Sequence, residues 1–292
     1  MRKLAHKHSN FQPPAFVTLP RPSNRWIHSL ALCTSLAVCL FSQAACGGGG
    51  SGSGQGNDTT PVTPPPAAAA DISVLMMGNS HSSVSDLPQR LEAMLRAARP
   101  GKTVAVVVAP DWLFLEQHLV NTRTLGLLQG QTWSAVVLQA QKYSTSGLFN
   151  YSTREAEALV RMARVAKATP VMFPEWPLRG VPETERIYNL HVSIAKKEPA
   201  CVAPIGQAWD LALQRDPTLV LYDVDGNHAA AAGAHLTALV LFTTLTGLSP
   251  SQVPSFAQSN VPANVQAQLK TVATDAASAT APRVYCPTDK VL

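Results

Sequence analysis

The sequence predicts an α/β protein with three layers, in which helices cover both faces of a central parallel sheet. Short apolar runs end in turn or polar residues and show little alternation, which is typical of strands buried on both faces. Segments with helical periodicity lie between these runs. Strands that alternate with helices in this way form βαβ units, and right-handed crossovers then place helices on both sides of the sheet.

The predicted strands are five apolar runs. They are "ISVLMMGN" at 72–79, "TVAVVVAP" at 103–110, "SAVVLQAQ" at 134–141, "PVMFPEW" at 170–176 and, less clearly, "ACVAPIG" at 200–206. In open parallel sheets, ligands bind at the carboxyl ends of the strands. The residues that follow these runs are therefore the first candidates for a functional site.

The predicted helices lie between and after the strands. In the first, Val84 to Ala98, apolar residues recur on one face, Ser85 is placed to cap the start, and "RPG" at 99–101 ends it. Further helices are predicted at 113–128, at 153–168, at 183–198 and, as a strong final helix closed by Gly247, at Ala229 to Thr246.

The N-terminal part of the sequence predicts export. Residues 1–46 contain basic but no acidic residues, followed by a short apolar run and "SQAAC", the pattern of a secretory signal. This end resembles a bacterial lipoprotein cleavage site with Cys46 as the lipidated residue; plain secretion and an uncleaved anchor are the alternatives. Residues 47–70, rich in Gly, Ser and Pro, predict a flexible tether.

The expected location is the outer membrane or cell surface of a Gram-negative bacterium, with the lipid anchor as the only membrane contact. Residues 71–250 are the predicted main domain, and residues 251–292 are a C-terminal extension packed on it.

Cys201 and Cys286 remain after the leader and, in an oxidising compartment, are expected to form a disulfide. Two separate buried thiols are the alternative.

Charge and histidine spacing exclude some classes of partner. The chain has 23 basic and 18 acidic residues, a formal net charge of +5, but the leader holds the basic excess. The folded part is close to neutral, so we expect no nucleic-acid partner. The histidines of the mature chain have no metal-ligand spacing, and we predict no metal and no cofactor.

Ser80 follows the first predicted strand in "MMGNSHS" and would stand at the carboxyl edge of the sheet. A serine becomes a nucleophile only beside a base, usually a histidine that a carboxylate orients. In "YDVDGNHAAAAGAHL", Asp225 can reach Nδ1 of His228 across a Gly-Asn turn, which leaves Nε2 free for Ser80. This loop would stand at the same edge of the sheet as Ser80 if the preceding "TLVLYDV" runs parallel to the first strand. The alternatives are a turn or capping serine and a loop histidine.

These two blocks resemble the first and last blocks of the SGNH hydrolases, also called GDSL esterases and lipases. The matching features are a strand that ends in Gly-Asn-Ser and a distal Asp-x-x-His before a helix with Gly233 and Leu236. The resemblance covers roughly residues 71–248. It implies a flavodoxin-like SGNH hydrolase fold, a triad of Ser80, His228 and Asp225, and an acyl-enzyme mechanism.

The middle blocks depart from the family pattern, and they determine the expected oxyanion hole. The usual Gly-x-Asn-Asp is absent, and "VVLQAQKYS" offers the amide of Gln139 instead, with Gln141 as the competing choice. In "APDWLFLEQH", Asp111 or Trp112 stands where a glycine is usual. The expected donors are therefore the backbone N–H groups of Ser80 and Trp112 and the side chain of Gln139.

Other residues are candidates for the pocket or for structural roles. Asn79, His81, Gln141 and Trp176 are the candidate pocket residues, and His81 is also the alternative catalytic histidine. His118, His191 and His235 are expected to be structural.

The resemblance implies a serine esterase that acts on a small ester or an acylated carbohydrate, with deacetylation of a carbohydrate as the substrate hypothesis. The alternatives are a thioesterase or lipase of the same fold and a non-catalytic surface lipoprotein that binds glycan.

Overall fold

The computed structural model describes residues 70–292, except the side chain of Gln258. The predicted leader with Cys46, and the predicted tether up to residue 69, lie outside the described residues. The strands are β1 (Ile72–Met77), β2 (Val104–Val108), β3 (Ala135–Gln139), β4 (Thr169–Phe173) and β5 (Cys201–Val202). They pair in parallel in the order β2–β1–β3–β4–β5.

The sheet is buried on both faces because successive side chains of a strand point to opposite sides. Val74 and Met76 of β1 belong to one hydrophobic cluster, and Leu75 and Met77 belong to the other. Unbroken apolar runs such as that of β1 therefore reflect two buried faces rather than one.

Eight helices are found among residues 70–292. They are α1 (Leu87–Ala98), α2 (Leu115–His118), α3 (Thr122–Gln129), α4 (Arg154–Val165), α5 (Thr184–Lys197), α6 (Ile205–Arg215), α7 (Ala231–Thr246) and α8 (Ala263–Ala279). Residues of α1, α6, α7 and α8 pack on one face of the sheet, and residues of α2 to α5 pack on the other. The predicted three-layer α/β/α fold class is confirmed. None of these helices is long and apolar enough to cross a bilayer.

Several predicted boundaries were wrong. The helix expected from Val84 starts at Leu87, because the turns Ser80–Ser82 and Val84–Asp86 precede it. Ser85 does not cap it, since Ser85 and Asp86 have φ angles of 54° and 57°. The helix expected at 113–128 is divided into α2 and α3 at Asn121, whose side chain accepts the Thr124 N–H at 3.0 Å.

The segment "TLVLYDV" is not a strand of the sheet. Its only pairing among the described residues is an antiparallel bridge between Tyr222 and Ala229. The helices α6 and α8 were not predicted. Helix α6 begins within "ACVAPIG", of which only Cys201 and Val202 form β5.

The C-terminal extension, 251–292, packs on the domain through α8, whose residues Leu269, Val272 and Ala273 are buried in the same cluster as α7. Cys286 is bonded to Cys201 of β5, with 5.0 Å between their Cα atoms. The chain end is also held, because the Leu292 N–H donates to the carbonyl of Leu245 at 3.0 Å.

Candidate active site

The end of β1 brings the backbone unusually close to its neighbours. A Cβ at Gly78 would lie 2.2 Å from Gln139 Oε1, so only glycine fits. The Gly78 carbonyl accepts the Leu113 N–H at 3.2 Å and lies 3.1 Å from His118 Nε2. These contacts fix the strand end beside the connections that follow β2 and β3, at the point where the strand order reverses and α/β proteins bind ligands.

Ser80 is the first residue of a 3₁₀ turn, Ser80–Ser82, which Asn79 caps. The Asn79 side chain accepts the His81 N–H at 3.0 Å. The Ser80 N–H is the first of the turn, and such groups have no partner within the turn itself. Ser80 is half-buried at this edge of the sheet.

A tight loop carries Asp225 and His228. The Asp223 N–H donates to the His228 carbonyl at 2.8 Å, and the Ala230 N–H donates to the Leu221 carbonyl at 2.8 Å. These bonds close the loop at its base. Gly226 supplies the left-handed turn within it, with φ of 70°. The loop therefore reaches the sheet edge without the parallel strand that the sequence predicted before it.

The connection after β4 holds this loop in place. Trp176 Nε1 donates to the Asn227 carbonyl at 2.8 Å, and Arg179 Nη2 donates to the Asp223 carbonyl at 2.7 Å. The Ser85 hydroxyl donates to the Ala229 carbonyl at 2.6 Å. The turn after Ser80 and the loop of His228 are thus joined directly.

Ser80, His228 and Asp225 form one continuous chain of hydrogen-bond contacts. Ser80 Oγ lies 2.7 Å from His228 Nε2, and His228 Nδ1 lies 2.5 Å from Asp225 Oδ2. Asp225 Oδ1 accepts the backbone N–H groups of Asn227 at 2.8 Å and His228 at 2.9 Å. The bond to the His228 side chain, together with these two N–H groups, holds the pKa of Asp225 well below its usual range.

His81 lies beside His228 rather than against the Ser80 hydroxyl. Its ring stacks on that of His228, with 5.1 Å between centroids and 29° between planes. Burial, followed by the neighbouring His228, lowers the pKa of His81 to about 4, so His81 is neutral at pH 7. The hydroxyl of Ser80 contacts His228 and not His81. This arrangement does not support the alternative that His81 is the base.

Gln139, which was expected to donate its side-chain amide to the oxyanion, is engaged inside the protein. It is fully buried, its Oε1 accepts the Asn79 N–H at 2.8 Å, and its Nε2 donates to the Glu175 carboxylate. Because both ends of the amide are engaged, Gln139 supports the peptide before Ser80 and is not placed to donate to an oxyanion. Gln141 is also buried, and its amide donates to the carbonyls of Lys142 and Ser152.

Two other candidate pocket residues have structural positions. Trp176 is 1% exposed and stacks on Trp209, with 4.3 Å between ring centroids, so it belongs to the core under the site. Asn79 is half-buried, and its side chain caps the turn. Both residues act on the site through the backbone that they hold rather than as walls of an open pocket.

The connection after β2 lies against the chain on either side of Ser80, through Leu113 at Gly78 and Trp112 at Ser83. Trp112 is 65% exposed, and its Nε1 donates to the Ser83 hydroxyl at 3.0 Å. Asp111 has φ of 71°, an uncommon angle for a non-glycine residue. Its carboxylate lies 3.2 Å from Arg123 Nη1, so the side chain points away to an ion pair.

No protein-family model matches the chain, and a search of curated proteins found no significant match. Among solved structures, a candidate SGNH hydrolase from Slackia heliotrinireducens is 25% identical, with a TM-score of 0.49, over 59% of this chain and 97% of that one. A DUF4886 family protein from Bacteroides uniformis is 17% identical, with a TM-score of 0.49, over 76% and 97%.

An acetylxylan esterase from Geobacillus stearothermophilus is 10% identical, with a TM-score of 0.43, over 61% of this chain and 93% of that one. The chain is similar to SGNH hydrolases of known structure. SGNH hydrolases are also the family that the blocks around Ser80 and His228 resemble. The geometry of the site, rather than these likenesses, carries the functional proposal below.

The sequence did not predict the roles of two residues, Glu175 and Arg179, that lie between the blocks of Ser80 and His228. Glu175 and Arg179 both follow β4, in "PEWPLR", and support Gln139 and the His228 loop respectively. Burial raises the pKa of Glu175 to about 7, and the charge of Glu183 adds to this rise, although the bond from Gln139 opposes it. A charged residue directly after a buried strand was the one available signal.

The three remaining histidines are buried. His118 supports the strand end at Gly78, as described above, and His191 Nδ1 lies 2.8 Å from the Ile187 carbonyl. His235 lies within α7 and has no hydrogen-bond partner.

Proposed function

We propose that this chain is a serine esterase that hydrolyses carboxylic esters through an acyl-enzyme formed on Ser80. The observation that carries the proposal is the ordered chain of contacts at His228, with Nε2 at 2.7 Å from Ser80 Oγ and Nδ1 at 2.5 Å from Asp225 Oδ2. A serine, an imidazole and a carboxylate in this order form the constellation that activates a hydroxyl for acyl transfer.

In the proposed mechanism, His228 Nε2 takes the Ser80 proton as Ser80 Oγ attacks the ester carbonyl. His228 then gives the proton to the leaving alcohol, and an acyl-enzyme remains on Ser80. Water, deprotonated by His228, attacks the acyl group; the bond to Ser80 Oγ breaks, His228 returns the proton to Oγ, and the acid is released. Asp225 holds the proton on Nδ1 and stabilises the imidazolium that forms in each half of the cycle.

The proposed oxyanion donors are backbone groups. The N–H of Ser80 lies at the start of its turn, and the N–H of Trp112 belongs to the loop that the Leu113 N–H fastens to the Gly78 carbonyl at 3.2 Å. Gln139 takes a supporting role, because it orients the Asn79–Ser80 peptide through the Asn79 N–H. Donors held rigidly in this way stabilise the charge that develops on the carbonyl oxygen.

The proposed substrate is an ester carried by a bulky molecule, such as an acylated carbohydrate. The triad lies at an open edge of the sheet, because Ser80 and His228 are half-buried and Asp225 is exposed. The exposed indole of Trp112, held in place by Ser83, offers an apolar face next to Ser80. An open edge of this kind admits an ester on a polymer more readily than a closed acyl-chain tunnel would.

The test is hydrolysis of p-nitrophenyl esters of increasing acyl length and of acetylated oligosaccharides. Ser80→Ala should reduce kcat/KM by about 10³-fold or more, whereas Ser251→Ala, a remote exposed serine, should match the wild type. The acyl-length series separates an acetyl esterase from a lipase, and thioester substrates test the thioesterase alternative. A folded wild type that binds glycan but hydrolyses none of these substrates would contradict the proposal and favour the non-catalytic alternative.

A further inference from the structure

A cavity outside the Ser80 site lies between α1, α7 and the segment that precedes α8. Its volume is about 240 Å³, and its lining includes Arg90, Ala93, Met94, His235 and Phe256. A water molecule takes about 30 Å³ in the liquid, so this space suits a small organic molecule better than a single water. None of these residues has a part in the proposed esterase chemistry.

Arg90 supplies a buried positive charge to this cavity. It is 8% exposed, its Nε donates to the Ser85 carbonyl at 2.8 Å, and its Nη1 donates to the Ser259 carbonyl at 2.6 Å. Both acceptors are neutral, and none of the ion pairs within residues 70–292 includes Arg90. A buried guanidinium without a carboxylate partner is costly, and an anion in the cavity would offset that cost.

His235 also lines the cavity. It is fully buried, and neither ring nitrogen has a hydrogen-bond partner. Native proteins rarely leave such groups unpaired. Burial lowers the pKa of His235 to about 4, and the positive charges of Arg90 and Lys270 contribute to the lowering. Arg90 is the one guanidinium in the lining. The carboxylate of Asp86 also lines the cavity and acts on Arg90 through its charge, but Asp86 is exposed and its charge is screened by solvent.

The rest of the wall combines apolar side chains with the polar residues Gln89 and Ser259. Met94 is fully buried, and Ala93 and Phe256 are half-buried in the lining. A buried cation and apolar side chains that line one small cavity match a molecule with a charged part and an apolar part. We infer that this cavity binds a small monocarboxylate, with its carboxylate on Arg90 and its short alkyl or aryl part against Met94 and Phe256. Inorganic phosphate would satisfy the charge but not the apolar side chains.

The experiment is an NMR titration of the full chain carrying ¹³C-labelled histidine, with butyrate and benzoate as probes. Each carboxylate should shift the His235 resonance saturably and raise its apparent pKa, because an anion favours the imidazolium. Inorganic phosphate at matched ionic strength should cause no such shift. The His235→Leu variant assigns the resonance, and it should fold because His235 makes no hydrogen bond that the substitution would break.

Variants of Arg90 and Ala93 test whether the carboxylate binds in this cavity. Arg90→Met should weaken carboxylate binding about tenfold or more, whereas Arg96→Met, on the same helix and paired with Glu92, should not change it. Because Arg90 also holds two carbonyls, Ala93→Leu is a second variant that fills the cavity and should abolish binding in a folded protein. Unchanged His235 signals with both carboxylates, equal shifts with phosphate, or full binding in Ala93→Leu would overturn the inference.

Discussion

At the scale of single residues, Asp225 acts on His228 through both of its carboxylate oxygens. One oxygen accepts two backbone N–H groups and so fixes the carboxylate, and the other meets Nδ1 of the imidazole. Because its pKa is held low, Asp225 stays ionised across the neutral range. The orientation of the His228 ring is therefore set by a side chain only three positions away in the sequence.

Replacing Asp225 by Asn should leave the loop folded but lower kcat by about 10²–10⁴-fold. The amide can still accept the two N–H groups, but its NH₂ end would favour the wrong tautomer of His228. Steady-state hydrolysis of p-nitrophenyl acetate measures the loss, and circular dichroism checks the fold. A variant with wild-type kcat would show that His228 needs no carboxylate.

Glu175 is the second residue whose ionisation can be tested. Its pKa in the folded protein is about 7, above the ordinary value of 4.5, so the folded state favours the neutral carboxyl. The protonation of Glu175 therefore stabilises the folded protein relative to the unfolded chain. This stabilisation is fully present below pH 4.5 and is lost as the pH rises through about 7.

Glu175→Gln is neutral at every pH and should gain stability relative to the wild type as the pH rises from about 5 to about 8, by at most about 3 kcal/mol. Urea denaturation at several pH values measures the difference. The exposed Glu185→Gln serves as the control, with a difference that stays flat. A flat difference for Glu175→Gln as well would show that Glu175 is not buried as described.

At the scale of elements, the site depends on helix α7 lying close to the loop that precedes it. A Cβ at Gly233 would lie 2.2 Å from the Leu221 carbonyl and 2.5 Å from Trp209 Cη2. Leu221 belongs to the base of the His228 loop. The absence of a side chain at Gly233 thus sets the distance between the helix and the loop.

Gly233→Ala should destabilise the protein by about 1–3 kcal/mol and reduce activity, because the added methyl group must displace backbone or the Trp209 ring. Gly126→Ala, in exposed α3 with nothing within 4 Å of the added methyl, should instead be neutral or stabilising by up to about 1 kcal/mol. Thermal unfolding compares the two. Equal effects would contradict the close packing at Gly233.

Strands and turns could be predicted from the sequence where a short local pattern is enough to specify them. The strand runs and the "GNS" after β1 are such patterns, because burial on both faces and a tight strand end leave direct traces in the sequence. "TLVLYDV" has the composition of a strand but lies outside the sheet. Its Tyr222 forms an antiparallel bridge with Ala229 and closes the His228 loop instead of pairing with a strand. Helices α6 and α8 depend on packing against α7, which no local window contains.

The site was partly predictable for the same reason. Ser80, Asp225 and His228 lie within short blocks, and the structure brings these three together. The environment of Gln139 was not predictable, because its contact with Glu175 joins the end of β3 to the connection that follows β4. A glutamine after a strand can face a cleft or the core, and the sequence alone did not distinguish them.

At the scale of the whole molecule, the disulfide joins the last strand of the sheet to the chain end. Cys201 and Cys286 are 85 positions apart, so the bond encloses α6, α7 and α8. It also encloses the His228 loop. A bond across so long a loop restricts the unfolded chain more than any local contact does.

Replacing both cysteines by Ala should therefore lower the free energy of unfolding by about 4 kcal/mol. Urea denaturation of the variant, and of the wild type with and without reductant, measures the change. The active site should keep its geometry under native conditions, so initial rates should change little. A midpoint unaffected by both reduction and substitution would show that the bond does not form in solution.

The central claim is that the fold activates one serine among many. The most direct measurement is the reaction of the folded protein with a fluorophosphonate, followed by intact-mass and peptide-mass analysis. The account predicts one adduct per chain, located on Ser80, absent in Ser80→Ala and formed at least about 100-fold more slowly in His228→Ala. A folded wild type that forms no adduct, or forms it on another serine, would contradict the account.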